Sequence, residues 1–302
     1  MKQNRIGRSE LIVGEIGLGC MSLGTEENHA VRLLHEALEQ GVTLLDTADL
    51  YDNGMNEEWV GRAVKGRRDQ VVIATKVGNR REEGKDGWVW DPSKAYIQSA
   101  VKDSLRRLGT DYIDLYQLHG GTLDDPIDET IEAFEELKRD GWIREYGISS
   151  IRPNVIREYV KRSGIVSVMC QYSILDRRPE EQILPLLAEN NISVIARGPV
   201  AKGILSDRAE EKSEKGYLDY SKDELLEVTR QLREGLDPQR DMSQTAIRYA
   251  LAHPAVASVI PGASSSRQLL HNTEASAAPE LTVQEVQYIQ SVSRPNAYEQ
   301  HR

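Results

Sequence analysis

The sequence predicts an α/β fold, a closed (β/α)8 TIM barrel with an N-terminal β-hairpin and two extra helices. Three observations lead there. Eight apolar runs have the length of short strands, and nearly every one is followed by apolar residues at helical spacing. Such alternation implies parallel strands covered by helices. Eight repeats in roughly 250 residues fit a closed barrel better than an open sheet. The 302 residues contain no low-complexity linker, so one domain spanning 1–302 is expected.

The elements follow in order. Residues 1–13 turn from polar to apolar at Leu11, Ile12 and Val13, and Gly7 and Ser9 mark a turn, which suits a terminal hairpin. Residues 14–20 read as the first strand. Ala30, Val31, Leu33, Leu34, Ala37 and Leu38 form a helical stripe before strand two at 42–45. A helix over 57–65 precedes strand three at 71–75. Asp91 and Pro92 suit a helix start, with Asp91 as cap. Ile97, Ala100, Val101, Leu105 and Leu108 make that helix's apolar face, and Gly109 its end. Strand four is 112–118, a helix covers 127–139, and strand five is 143–148. Pro153 opens a helix before strand six at 166–170; a helix over 183–187 leads to strand seven at 192–196. Residues 246–251 are helical, strand eight is 256–260, and the last repeat helix is 264–272. Beyond the repeat lie a helix near 223–232, inside the polar stretch 203–235, and one near 283–289 before a polar tail.

Composition narrows the function. A hydrophobic content of 39% with 28% charged residues is that of a water-soluble chain. No run nears the ~20 apolar residues of a membrane span, and no secretory leader opens the sequence, so a cytoplasmic location is expected. The net charge of −10 argues against nucleic acid as a partner. Cys20 and Cys170 lie far apart without metal-ligand spacing and read as reduced, buried thiols. Gly17 and Gly19 form a G-x-G, but Ser22 stands where a dinucleotide fingerprint needs a third glycine, so a Rossmann reading is rejected.

The chemistry lies at three strand ends. Strand two runs into Asp46 and Tyr51, strand three ends on Lys76, and strand four ends on His119. Each alone is a common loop or core residue. Together they occupy three consecutive strand ends, where barrel loops share one face and neighbouring strands lie about 4.8 Å apart. One pocket holding all four is expected. A phenol near pKa 10 is a weak acid, and the Lys76 ammonium is expected to lower it. Asp46 would hold Lys76 charged, Tyr51 would protonate a developing alkoxide, and His119 would orient the carbonyl. These groups move protons and supply no hydride, so a bound cofactor must donate it.

The stretches 41–51 (GVTLLDTADLY), 74–76 (ATK), 108–119 (LGTDYIDLYQLH) and 147–150 (GISS) resemble the aldo-keto reductase superfamily, in its bacterial general-stress or inositol-associated branch. The resemblance spans about residues 5–290. It implies a (β/α)8 barrel, NADPH/NADP+ bound extended without a Rossmann domain, and reduction of aldehydes or ketones. It makes Tyr51 the general acid and Asp46, Lys76 and His119 its partners. Gly19, Cys20 and Met21 match the loop that passes the nicotinamide ribose, where Asp46 also belongs. Ser149 and Gln171 match the side chains that bond the carboxamide; Ser150 replaces a usual Asn. Arg197, Gly198, Pro199 and Val200 stand where the family has Tyr-Ser-Pro-Leu, which makes Arg197 the candidate for lying on the nicotinamide ring. The segment from Val200 through Lys202 and Gly203 to Leu205 resembles the loop over the pyrophosphate. Residues 260–272 resemble the adenosine 2′-phosphate segment and open a helix, with Gly262, Ser264 and Arg267 near phosphate and Gln268 and Asn272 near adenine. His271 replaces a common Glu there. Arg267 is the main reason to favour NADPH over NADH.

Trp88 and Trp90, in the loop 79–91, are candidates for lining an apolar substrate site. Arg80, Arg81, Lys85 and Arg178 offer charge for an anionic substrate, although such side chains are usually solvated. The expected partner is a small-molecule carbonyl compound, and a monomer is compatible with the sequence. Two alternatives remain: a polyol or sugar dehydrogenase using the same four residues in reverse, and a cofactor-binding regulatory subunit similar to potassium-channel β subunits.

Overall fold

The computed structural model describes residues 1–82, 84 and 87–302. A hairpin of β1 (Gln3–Arg5) and β2 (Ile12–Gly14) opens the chain. Eight strands then form one parallel sheet: β3 (Leu18–Gly19), β4 (Leu44–Asp46), β5 (Val72–Val77), β8 (Ile113–Leu118), β9 (Ile143–Ser149), β10 (Ser167–Gln171), β11 (Ser193–Arg197) and β12 (Val256–Ile260), adjacent in that order. Between β5 and β8, β6 (Asn79–Arg80) and β7 (Val89–Trp90) pair antiparallel as a second hairpin. Parallel bridges Ile16–Val259 and Gly19–Gly262 join the ends of the sheet into a (β/α)8 barrel. The first predicted strand pairs with β4 only at Leu18 and Gly19, while Glu15, Gly17 and Gly19 bond to Val259 and Pro261 on the other side. Gly17 lies so close to its neighbours that a Cβ there would meet the Leu44 carbonyl oxygen at 2.9 Å. Close backbone approach explains this glycine without any phosphate.

Helices cover the barrel: α1 (Glu27–Glu39), α2 (Met55–Ala63), α3 (Lys94–Leu108), α4 (Ile127–Arg139), α5 (Pro153–Arg162), α6 (Pro179–Glu189), α7 (Ala209–Lys212), α8 (Lys222–Gly235), α9 (Met242–Leu251), α10 (Ser266–Glu274) and α11 (Val283–Val292). Local chemistry sets their ends. Gly109 closes α3 in the left-handed region at φ 63°, which glycine adopts without a Cβ penalty. The cap of α3 is Ser93, not Asp91: its side chain accepts from the Tyr96 N–H, and Asp91 Oδ1 accepts from the Ser93 N–H one step earlier. Helix α6 starts at Pro179, ahead of its apolar stripe, because proline suits a first turn. Thr282, Ser221 and Asp241 build capping boxes on α11, α8 and α9. No helix among the described residues is long and apolar enough to cross a membrane.

Two apolar layers follow from strand alternation. One side of the strands packs on the helices. The other fills the barrel with Leu44, Ala74, Leu115, Met169, Ile195 and Ile260. The terminal hairpin plugs the lower end with Ile6, Leu11 and Val13. Its turn needs Gly7, at φ 52°, because a Cβ would stand 2.4 Å from the Val166 carbonyl oxygen.

At the start of β8, Asp114 ties that lower end together. It accepts from the Ile73 N–H at 2.9 Å and pairs with Arg68 at 2.6 Å and Arg144 at 3.5 Å. The two guanidiniums lie over the Tyr112 ring at 4.1 and 4.2 Å. Removing one partner of a buried pair costs about 3–5 kcal/mol. Asp114→Ala is therefore expected to lower thermal stability strongly while leaving kcat/KM at 25 °C near the native value, since this end is remote from the strand tops. Calorimetry with parallel steady-state assays checks both.

Candidate active site

Strand alternation continues upward from the apolar layer. Two residues beyond Leu44, Ala74, Leu115, Met169 and Ile195, on the same inward face, stand Asp46, Lys76, Gln117, Gln171 and Arg197. Ser149 ends β9 with the same phase. The barrel interior thus changes from apolar to polar in one step, at the carboxyl ends of the strands.

Lys76 is the centre of this layer and is 1% exposed. Its Nζ donates to Asp46 Oδ2 at 2.8 Å, to the Thr47 carbonyl at 2.8 Å and to Tyr51 Oη at 3.3 Å. An ammonium has three protons, so all are used. The His119 ring meets the Tyr51 ring edge-on, with centroids 6.0 Å apart. Asp46, Tyr51, Lys76 and His119 thus converge as one group.

The loop carrying Tyr51 is held from several sides. Asn56 accepts from Thr47 Oγ1 at 2.7 Å and donates to the Cys20 carbonyl at 2.9 Å. Arg81 donates to the Leu50 carbonyl at 3.0 Å. Asp52, Asn53 and Gly54 follow in left-handed conformation, which Asp, Asn and Gly tolerate best.

Burial shapes the electrostatics. It alone would push the Lys76 ammonium down, but Asp46 and Tyr51 outweigh it and hold the amine above its ordinary value. Burial also dominates at Tyr51 and raises the phenol; Lys76 works against that rise without reversing it. The expected net acidification of Tyr51 is thus not found, although the amine acts in the expected direction. Burial, then the charges of Lys76 and Arg197, lower His119 to about 3, so its ring is neutral.

The residues fit a nicotinamide cofactor at this end. His119 Nδ1 is buried and without a partner among the described residues, and the Gln117 amide and the second Asp46 oxygen are buried beside one another, leaving polar groups at the strand ends for a ligand. Gln117 was not expected from sequence, although it lies two residues before His119 on the same face. Among the described residues no cluster of three His, Cys, Asp or Glu is placed to hold a metal ion.

Other expected positions fall differently. Cys20 is buried, with its thiol directed to the Leu18 carbonyl, whereas Met21 is 67% exposed on the rim. Ser150 Oγ accepts from the Arg152 N–H at 3.2 Å, at the start of α5. Gln171 is enclosed by Arg197, Asp176 and Tyr217, and Arg197 bonds its side-chain oxygen at 2.8 Å. Gly198 is left-handed at φ 66°, Pro199 is buried and Val200 half-buried. Lys202 is exposed and left-handed, with Gly203 beside it, also left-handed. The Leu205 side chain is fully buried in the helix-facing core, so only its backbone can meet a ligand.

At the adenosine segment, α10 begins at Ser266 with Ser265 as its cap. Gln268 Oε1 folds back onto the Ser264 N–H and hydroxyl, at 2.8 and 3.0 Å, instead of facing outward. Asn272 donates to the Gly262 carbonyl at 3.2 Å. Among the described residues Arg267 makes an exposed 3.4 Å pair with Asp207, an interaction of little strength. A cavity of about 470 Å³ borders this segment, with Asp207 and His271 among its lining residues.

Trp90 lies against Gly78 and Gly120, where a Cβ would stand 2.6 and 3.3 Å from its ring, and its Nε1–H donates to Asp125 at 3.0 Å. It thus packs on the backbone at Gly120, the residue after His119, while Trp88 is exposed. The candidate charges for an anionic substrate are engaged: Arg80 pairs with Asp91, Arg81 bonds the Leu50 carbonyl, and Arg178 pairs with Asp176. Lys85 lies outside the described residues.

Comparison with known proteins agrees with this geometry. The Aldo/keto reductase family pattern matches residues 15–294. The chain is 57% identical, over 100% of both chains, to "Uncharacterized oxidoreductase YqkF" of Bacillus subtilis (strain 168). Among solved structures, it is similar to "aldo-keto reductase AKR11C1 from Bacillus halodurans (holo form)", with TM-score 0.95, 60% identity, and coverage of 100% of this chain and 99% of that one. It also resembles "the glycerol dehydrogenase AKR11B4 from Gluconobacter oxydans", with TM-score 0.85, 25% identity, and coverage of 99% and 98%. A barrel with Asp, Tyr, Lys and His gathered at its strand tops, and a family match over nearly its whole length, establish that the chain belongs to the aldo/keto reductase family.

Proposed function

We propose that the protein is an NADPH-dependent reductase of aldehydes and ketones, with Tyr51 as general acid. The observation that carries this reading is the buried Lys76 ammonium, bonded to Asp46 on one side and to the Tyr51 phenol on the other. The nicotinamide, when bound, supplies the hydride. Asp46 with the Gly19–Met21 loop would hold its ribose, and Ser149, Ser150 and Gln171 its carboxamide. Gly198, Pro199, Val200, Lys202 and Gly203 would line the pyrophosphate, and Gly262 and Arg267 the 2′-phosphate. The neutral His119 ring donates a hydrogen bond to the substrate oxygen and orients it. The Tyr51 Oη–H then gives its proton to that oxygen, and the resulting phenolate is stabilised by Lys76.

The rim favours an apolar carbonyl compound. Met21, Trp88, Leu123, Ile151 and Leu218, all in segments that follow barrel strands, are exposed large apolar side chains. A second reading, oxidation of a polyol, draws support from the solved relative described as a glycerol dehydrogenase. The same proton path serves it in reverse, but an apolar rim suits a polyol poorly.

Loss of NADPH absorbance with a panel of apolar aldehydes, against reduction of NADP+ with glycerol, tests the reading. Tyr51→Phe is expected to lower kcat/KM about 100- to 10,000-fold while NADPH still binds; full activity in that variant would refute the role. The pH dependence follows from burial. Reduction needs the protonated phenol, and Tyr51 is raised above its ordinary value, so kcat/KM for reduction should stay level over about pH 6–9 and fall only above that range. His119, neutral down to about 3, should add no acid limb near pH 6. A pH profile with an alkaline limb below about pH 8 would contradict this.

Arg197 places a fixed positive charge at the nicotinamide end. It should disfavour the cationic oxidised ring, so that NADPH binds more tightly than NADP+. Arg197→Tyr is expected to lower the ratio Kd(NADP+)/Kd(NADPH) roughly threefold or more, read by equilibrium titration of both forms.

A further inference from the structure

We propose that Asp176 is a positioning residue that aims Arg197 at the nicotinamide end by fixing the orientation of Gln171, with Arg178 and the Tyr298 ring of the C-terminal tail holding Asp176 in turn. The proposal rests on the reading of Arg197 given above.

Asp176 is fully buried and closes a tight turn. Its N–H donates to the carbonyl and side-chain oxygens of Ser173, both at 3.1 Å, and its own carbonyl accepts from the Ser173 N–H at 3.2 Å. The Arg178 guanidinium grips it with two bonds of 2.7 Å, Nε to Oδ1 and Nη2 to Oδ2. Gln171 Nε2 donates to the same Oδ2 at 2.7 Å and reaches Tyr217 Oη at 2.9 Å. Gln171 Oε1 accepts from Arg197 Nη1 at 2.8 Å.

The carboxylate decides this arrangement. An amide can present either end to a neighbour, but an ionised carboxylate only accepts. Gln171 must therefore turn its NH2 toward Asp176, which leaves its oxygen facing Arg197. Arg197, which only donates, finds its acceptor there. The planar fork of Arg178 matches the carboxylate and keeps Arg197 from collapsing onto Asp176. Arg197 stays close enough to Asp46 and His119 for its charge to act on both.

The outer support comes from the chain's last residues. Tyr298 is buried, and Arg178 lies over its ring at 4.8 Å. Asn296 anchors this tail by accepting from the Arg177 N–H at 2.8 Å and donating to the Leu175 carbonyl at 3.2 Å. The sequence element that looks like a loose polar end thus braces the cofactor face.

The test is equilibrium titration of NADPH and NADP+ against the native protein, Asp176→Asn, Arg197→Met and the double variant. Asp176→Asn lets Gln171 flip and frees Arg197, so Kd(NADP+)/Kd(NADPH) should fall roughly threefold or more, toward the Arg197→Met value. In the Arg197→Met background the fall should disappear: the double variant should lie at or above the Arg197→Met ratio, never below it. Loss of the Asp176 charge by itself would raise the ratio, so the sign separates release of Arg197 from simple charge removal. A ratio that rises or holds in Asp176→Asn, or an equal shift in both backgrounds, overturns the proposal. An unchanged ratio in Arg197→Met overturns the reading of Arg197 as well. If Asp176→Asn does not fold, Arg178→Lys keeps every charge but loses the fork; the same fall, of smaller size, is expected, and no fall overturns the proposal.

Discussion

The structure depends on keeping one ammonium charged where water does not reach. An unpaired charge in a protein interior costs many kcal/mol, and the usual escape is loss of the proton. Lys76 keeps its proton by donating three hydrogen bonds, to a carboxylate, a backbone carbonyl and a phenol. Those partners all come from the end of β4 and the loop that follows it, while Lys76 stands on the neighbouring strand β5. The loop must therefore pass Thr47 and Tyr51 over the same point, and the left-handed run Asp52–Asn53–Gly54 turns it away immediately afterwards. The strain of that turn and the satisfaction of the amine are parts of one geometry.

The same strand organises a second buried polar group on its other side. Thr75, pointing outward between Ala74 and Lys76, donates to Glu57 at 2.6 Å, and Glu57 accepts from Arg107 at 2.6 Å. This ties α2 and α3 to the strand that carries the amine. Asp49 sits in the same region, raised to about 7 by burial and by the nearby Glu57 charge. Burial and shared charge make this layer stiff, and the phenol that must meet substrate hangs from it.

Function is divided along the barrel axis. The lower end is closed by the hairpin plug and by the Asp114 cluster, which hold the closed sheet. The upper end has glycines that let Trp90 lie against the strand tops, and polar side chains at Asp46, Lys76, Gln117, Gln171 and Arg197 in the next inward layer. Stability is concentrated where nothing reacts.

The sequence alone carried the strand and helix pattern, because apolar periodicity, prolines and glycines act within a few residues of themselves. It also carried the convergence of Asp46, Tyr51, Lys76 and His119, since a strand end in a parallel barrel has only one face to open on. Other features needed the folded chain. The pairing of residues 79–80 with 89–90, the inward amide of Gln117, the cap at Ser93, the fold-back of Gln268 and the bracing of Arg178 by Tyr298 depend on which side chains finally touch. Arg177 and Asn296, for example, are 119 residues apart. The acidity of Tyr51 was likewise decided by tertiary structure: the sequence names the neighbouring charge, but only packing fixes how much water is lost, and that loss outweighs the charge.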